Sequence, residues 1–222
     1  TIFLILDINL QSKNTTMICF FLIVTIGVSH GSLDHIKGEK LLKIFKIKNK
    51  LNFYLGYISI SFVIIGLWLI LPLFTLSVFL IVAAYHFGKE DAVFEKNKKI
   101  KLLNILLFFK GSLVILAPLY FNSIETIKIF KTLNVELNPI SNYVLIIFIS
   151  LSLISNFFVN KNIFFPFLDS LTIIILNLNF SPLLSFTIYF CFLHSLRHSF
   201  SLIEEMSGKN FKKRLIVFLK QA

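Results

Sequence analysis

Apolar residues dominate the chain in seven long runs, separated by short segments that carry most of the lysines. The runs cover about residues 15–36, 52–71, 73–88, 101–121, 141–160, 163–180 and 182–200. Roughly 20 apolar residues are enough for a helix to cross the hydrocarbon core of a bilayer. Pro72 and Ser181-Pro182 predict tight turns between paired helices, because the residue before a proline disfavours helix. The pattern therefore predicts an all-α, polytopic transmembrane helix bundle of about seven spans, with residues 1–222 forming a single transmembrane domain.

The placement of charge predicts how the bundle is oriented. Residues 37–50 hold six Lys against one Glu, residues 89–101 five Lys against three acids, and residues 201–214 four basic residues against two acids. If seven helices alternate, these connections fall on one side of the membrane, which the positive-inside rule makes cytoplasmic. We expect a multi-pass protein of the cell inner (plasma) membrane. Because the net charge of +11 lies in these loops, it indicates orientation in lipid and no nucleic-acid partner.

Both ends of the sequence have features that are typical of a fragment. The sequence begins at Thr1 without an initiator Met, and it stops just after Leu215 begins a new apolar run. We expect a fragment clipped at both ends.

The five histidines fall into three short clusters, within segments that are otherwise apolar. His30 and His35 lie in the first, His86 in the second, and His194 and His198 in the third. With the orientation above, each cluster lies at the cytoplasmic end of its helix, so three helices bring histidines to one membrane depth. Neutral imidazole is the commonest protein ligand for transition metals. This predicts a buried metal site in the cytoplasmic half of the membrane, the alternative being histidines that simply hydrogen-bond within the bundle.

The spacing separates candidate ligands from the remaining histidine. His194 and His198 are four residues apart, so their rings lie on one face of a helix and can bind one metal. His30 and His86 supply two more nitrogens, and four neutral nitrogens without a thiolate suit iron, copper or zinc. His35 is five residues from His30 and points elsewhere, so we place it around the site and not among the ligands.

Charged residues beside the histidines could support such a site. Asp34 follows His30 by four residues and Asp91 follows His86 by five, and both could accept the second ring N–H of a ligand. Arg197 stays protonated and cannot be a ligand, so we expect it to pair with one of these acids or with Asp169. The alternative is a salt-bridge network without any metal.

The ordered clusters resemble the Brp/Blh family of membrane β-carotene 15,15′-dioxygenases, which includes the bacterio-opsin-related proteins. That family carries His-Gly-x-x-Asp-His, His-Phe-Gly-x-x-Asp and His-x-x-x-His, found here at residues 30–35, 86–91 and 194–198. The resemblance covers nearly the whole chain. One departure is Ser29, where family members often have proline, and it touches no candidate ligand.

The resemblance implies a non-haem Fe(II) site with four ligands, His30, His86, His194 and His198. Such a site would cleave the central 15,15′ double bond of β-carotene with O2 to give two molecules of retinal. The scheme needs no catalytic residue beyond the metal centre, and an apolar tunnel would set which bond is cleaved. The substrate would be dissolved in the lipid bilayer, and the retinal would serve a rhodopsin.

Three other functions are compatible with a histidine-containing membrane protein. A di-iron lipid or carotenoid hydroxylase or desaturase typically needs more than five histidines. A bis-histidine haem protein could use two histidine pairs, although their common depth favours one centre. A transporter with a His, Asp and Arg proton relay would need polar residues through the midplane, and the sequence offers few beyond Lys110.

Overall fold

The computed structural model describes residues 13–27, 38, 41–47, 49, 51–92, 102–159 and 164–205. Within these ranges the chain forms helices and no strand. In chain order the elements are α1 (Lys13–Leu22), a π-helical segment π1 (Ile23–Gly27), α2 (Leu51–Ile70), α3 (Pro72–Glu90), α4 (Leu103–Phe121), α5 (Ser123–Thr132), α6 (Asn142–Val159), α7 (Phe164–Asn179), α8 (Pro182–Ile188), a second π-helical segment π2 (Tyr189–Ser195) and α9 (Leu196–Glu205).

These helices confirm the predicted all-α membrane bundle. Four of them, α2, α3, α4 and α6, are long and apolar enough to cross a bilayer, and two shorter apolar helices span Asn14–Ile26 and Phe164–Asn179. The last predicted run corresponds to α8, π2 and α9, which follow one another without a break. The sequence did not predict α5, which lies in the connection between two of the predicted runs.

The two proline turns are formed as predicted. Pro72 lies in the first turn of α3 and Pro182 in the first turn of α8, where a missing N–H leaves no hydrogen bond unmade. Ser181 caps α8, since its Oγ accepts a hydrogen bond from the backbone N–H of Leu184 at 3.4 Å. A capping serine satisfies one of the N–H groups that the first turn of a helix leaves unpaired.

Helix α5 folds back against the end of α4. At its start, the hydroxyl of Thr126 lies 3.0 Å from the carbonyl oxygen of Pro118 in α4. At its end, Asn134 adopts φ +59°, and the N–H groups of Asn134 and Val135 bond to Lys131 and Phe130, both at 3.1 Å. This pair of bonds is the Schellman arrangement, which ends a helix sharply. As a result, α5 ends at Thr132 and packs against the end of α4.

Helix α4 lies at the centre of the bundle and packs most extensively against α3 and α6. The backbones of α3 and α4 come into direct contact where Gly88 faces Gly111. A Cβ atom at Gly88 would overlap the carbonyl oxygen of Leu107, and one at Gly111 would overlap that of Ala84. Small residues allow such backbone contact between membrane helices. The two glycines therefore fix the position of the carboxyl-terminal end of α3, close to the candidate ligand His86.

Polar side chains connect α6 and α7 to this centre. The Asn156 amide of α6 donates to Ser170 Oγ of α7 at 2.9 Å, and Ser152 Oγ of α6 donates to the Lys110 carbonyl of α4 at 3.3 Å. The Asn122 amide, at the end of α4, donates to the Asn177 carbonyl of α7 at 2.6 Å. Between membrane helices, hydrogen bonds and close packing replace much of the hydrophobic driving force. These bonds hold α6 and α7 around α4.

Candidate metal centre

Three histidines from two separate parts of the chain meet in the bundle. His86 lies in the penultimate turn of α3, His194 in π2 and His198 in α9. The ring centre of His86 is 5.3 Å from that of His194 and 6.2 Å from that of His198, and the last two are 6.4 Å apart. His194 is fully buried, His198 is 4% exposed and His86 is half-buried. Three imidazoles at this separation form a nitrogen-rich centre.

Asp91 orients one of these rings. Its Oδ1 lies 3.0 Å from His194 Nδ1, and its Oδ2 accepts a hydrogen bond from the Tyr189 hydroxyl at 2.6 Å. An ionised carboxylate only accepts hydrogen bonds, so Nδ1 of His194 carries the proton. The lone pair then lies on Nε2, the nitrogen that can bind a metal. Asp91 thus sets both the tautomer and the direction of the His194 ring.

The π-helical segment explains how two residues five positions apart reach the same carboxylate. In an α-helix, Tyr189 and His194 would point about 140° apart, at 100° per residue. A π-helix bonds residue i to residue i+5 and so stacks these positions above one another. The chain returns to α-helix at Leu196, which places His198 one α-turn beyond His194. The wide turn therefore aligns Tyr189, His194 and His198.

Aromatic rings enclose His194 on several sides. Phe87 meets it edge-on with ring centres 4.8 Å apart, and Phe190 stacks on it at 5.8 Å with the planes inclined by 14°. Tyr189 also stacks on it, at 6.1 Å. These rings hold the imidazole in place and exclude water from its faces.

A buried lysine supports the end of α3. Lys110 of α4 is 9% exposed, and its Nζ donates a hydrogen bond to the Asp91 carbonyl at 3.3 Å. The Asp91 N–H in turn bonds to the Phe87 carbonyl at 3.0 Å. A cation close to the carboxyl end of a helix is favourable because the unpaired carbonyls there carry partial negative charge. Lys110 thus stabilises the turn that presents Asp91 to His194.

Arg197 binds an acid on a neighbouring helix and clamps α9 to α7. Its two terminal nitrogens lie 2.6 and 2.5 Å from the two carboxylate oxygens of Asp169. A bidentate pair of this kind is strong and directional. Among the partners considered from the sequence, the structure pairs Arg197 with Asp169, whereas Asp91 binds His194 and Tyr189.

The Glu90 carboxylate lies 3.9 Å from His198 Nε2.

The first histidine cluster lies outside the described residues. This applies to His30, Asp34 and His35, so the assignment of His30 as a ligand and of Asp34 and His35 as neighbours stays a prediction. Over the ranges that are described, no group of three or more His, Cys, Asp or Glu side chains is placed so that it could hold a metal ion. His86, His194 and His198 nevertheless converge, and a carboxylate orients one of them, which is the donor chemistry that transition metals prefer.

Sequence reasoning missed two contributors to this centre. Tyr189 was not a candidate because it lies five residues before His194, outside the three- and four-residue spacings of an α-helix. Phe87 appeared only as a motif residue beside His86, although its ring contacts His194. Nothing in the sequence indicated that Tyr189 contacts Asp91, because the two residues are 98 positions apart in the chain.

The sequence is similar to those of known proteins. Residues 21–222 match the family model described as beta-carotene 15,15′-dioxygenase. The chain is 28% identical, over 201 residues, to a protein of an uncultured marine bacterium (66A03) named beta-carotene 15,15′-dioxygenase; the match covers 88% of this chain and 72% of that protein. No solved structure matches the chain.

Proposed function

Because this chain belongs to the β-carotene 15,15′-dioxygenase family, we propose that it cleaves the central double bond of β-carotene with O2 at an iron(II) centre. The products are two molecules of retinal. One observation carries the proposal: His86, His194 and His198 converge in a buried, aromatic-lined position where Asp91 holds His194 by a 3.0 Å hydrogen bond.

The reaction balances without any further co-reactant. One C=C bond of the polyene and the O=O bond of oxygen are broken, and two C=O bonds form. Each retinal takes one oxygen atom, so no external reductant and no proton donor is required.

We propose His30, His86, His194 and His198 as the iron ligands. Four imidazoles with open positions suit iron that reacts with O2, and bound iron would supply the activation of oxygen that the organic substrate cannot provide. The protein's own part is to hold His194 Nδ1–H on Asp91, to keep Tyr189 on the same carboxylate, and to exclude water with aromatic rings.

The same proposal puts the site in the cytoplasmic half of the cell inner membrane. The support is the excess of lysine in the loops at the histidine end of the helices. An apolar substrate dissolved in the bilayer can reach a site within the membrane without crossing water. Retinal released into the lipid is available to a rhodopsin in the same membrane.

Metal analysis and an optical spectrum of the purified full chain test the proposal together with cell-based cleavage. We expect about one iron per chain, no Soret band, and bleaching of β-carotene-producing cells with accumulation of retinal. A Soret band would favour the bis-histidine haem protein instead. Two irons per chain with hydroxylated carotenoid as product would favour the di-iron hydroxylase.

A further inference from the structure

An apolar cavity of about 230 Å³ lies between α3, α4, α5 and α8. Along α3 it extends from Phe79 past Ala83 to Phe87, which is about 12 Å at 1.5 Å per residue. Its far end is lined by α5 and by the start of α8. The cavity therefore runs along the bundle from the α5 end toward the histidines.

The inner end of the cavity lies one aromatic ring away from the histidine centre. Phe87 and Phe186 both line it. Phe87 contacts the His194 ring directly at 4.8 Å, and Phe186 stacks on Phe190 at 5.3 Å, which in turn stacks on His194. A molecule filling the cavity would thus reach the aromatic wall of His194.

The side chains that line the cavity favour a hydrocarbon ligand. The lining side chains are apolar except for Thr126. The Thr126 hydroxyl lies 3.0 Å from the Pro118 carbonyl oxygen and 2.9 Å from that of Asn122, so its proton is directed to the backbone. A ligand with polar groups would lose its hydrogen bonds with water and gain none here. An all-hydrocarbon ligand has no such penalty.

We propose that this cavity binds the ring-bearing end of the carotenoid, with the adjoining polyene leading past Phe87 to the histidines. The inference rests on the proposed function and adds where one half of the substrate lies. Sites that enclose a whole drug-sized ligand are usually about 300–1,000 Å³, so a cavity of about 230 Å³ suits one end of a forty-carbon molecule. Phe79 lines the cavity but is 61% exposed on the outside of α3, and the substrate enters from the lipid on that side.

Filling the cavity tests this assignment. Ala83 is a small, half-buried wall residue midway along the cavity, whereas its neighbour Val82 is 60% exposed and does not line it. We expect Ala83→Phe to lower kcat/KM for β-carotene by about tenfold or more, the scale on which pocket shape discriminates substrates. The matched control Val82→Phe should change it less than about twofold. Iron content should be unchanged in both.

A labelling experiment reports on the cavity without relying on activity. Ala83→Cys and Val82→Cys are treated with a membrane-permeant thiol reagent in the absence of O2, with and without β-carotene. We expect β-carotene to protect Cys at position 83 at least threefold more than Cys at position 82. Equal protection at the two positions, or equal kcat/KM for the two Phe variants, would overturn the cavity assignment. If the unaltered chain cannot cleave β-carotene but β-carotene still protects the thiol of Ala83→Cys, the proposed reaction is refuted and the binding site is kept.

Discussion

Asp91 and His194 are joined by a 3.0 Å hydrogen bond between Oδ1 and Nδ1, although 103 residues separate them in the chain. The contact links the end of α3 to the π-helical segment π2, and it fixes which nitrogen of His194 can bind a metal. Because the Tyr189 hydroxyl uses the second oxygen of the same carboxylate, the three side chains form one unit.

Asp91→Asn should weaken iron binding by about 10- to 100-fold, the usual effect of removing a carboxylate that orients a metal-bound histidine. An amide can present its NH2 group to Nδ1 and so favour the wrong tautomer. The measurement is an iron titration of purified protein. Asp169→Asn is the control, since that carboxylate binds Arg197, and equal iron affinity in Asp91→Asn and the unaltered chain would contradict the orienting role.

Tyr189→Phe should lower the free energy of unfolding by about 1.5–3 kcal/mol, the range for a hydrogen bond to a charged group. The substitution leaves the ring in place and removes the hydroxyl that donates to Asp91 at 2.6 Å. Thermal or denaturant unfolding in detergent measures the change. Tyr143 is 82% exposed, so Tyr143→Phe should have little effect, and a similar stability for the two variants would show that the Asp91 contact is unimportant.

Gly111→Ala should destabilise the bundle by about 1–3 kcal/mol, the usual penalty for overpacking. The added methyl overlaps the Ala84 carbonyl oxygen, so α3 and α4 must separate, and His86 moves with α3. Loss of stability should therefore be accompanied by loss of bound iron. In α2, a Cβ at Gly66 meets open space, and Gly66→Ala should be neutral or slightly stabilising because alanine favours helix. A tolerated Gly111→Ala would argue against backbone contact at this crossing.

His86→Ala should abolish iron binding and cleavage, whereas His35→Ala should keep most of both. The first removes a ring that lies 5.3 Å from His194, centre to centre, and the second removes a residue that the spacing places outside the ligands. Iron content per chain and retinal yield are the two measurements. The reverse ranking would overturn the ligand assignment.

The sequence was sufficient for the parts of the fold that depend on local pattern. Apolar runs and proline positions predicted the long helices and the turns at Pro72 and Ser181. It could not predict α5, because a ten-residue amphipathic helix between two spans resembles a loop in a hydropathy pattern. The Gly88–Gly111 contact was likewise hidden, since two glycines on different helices reveal their proximity only in space.

The site, too, was predicted from the sequence only in part. Clusters of histidine predicted the residues that converge, since His86, His194 and His198 are rare residue types in an apolar chain. The partner of Arg197 depended on which acid faces α9, and only the packing of α7 identifies Asp169. Tyr189 was not predicted as a site residue, because its position was judged from the α-helical period of 3.6 residues per turn and π2 has a wider turn.

That wide turn accommodates one more residue than an α-helix would between Tyr189 and His194. Deleting one exposed residue from it, such as Phe192, which is 48% exposed, would let the segment relax into uninterrupted α-helix. Tyr189 would then precede His194 by four residues, which an α-helix points only about 40° apart, so both side chains would still reach Asp91. If π2 became α-helical at its present length, the two side chains would point about 140° apart, and Tyr189 would lose Asp91. The extra residue of π2 is therefore compatible with the histidine centre only while the turn stays wide.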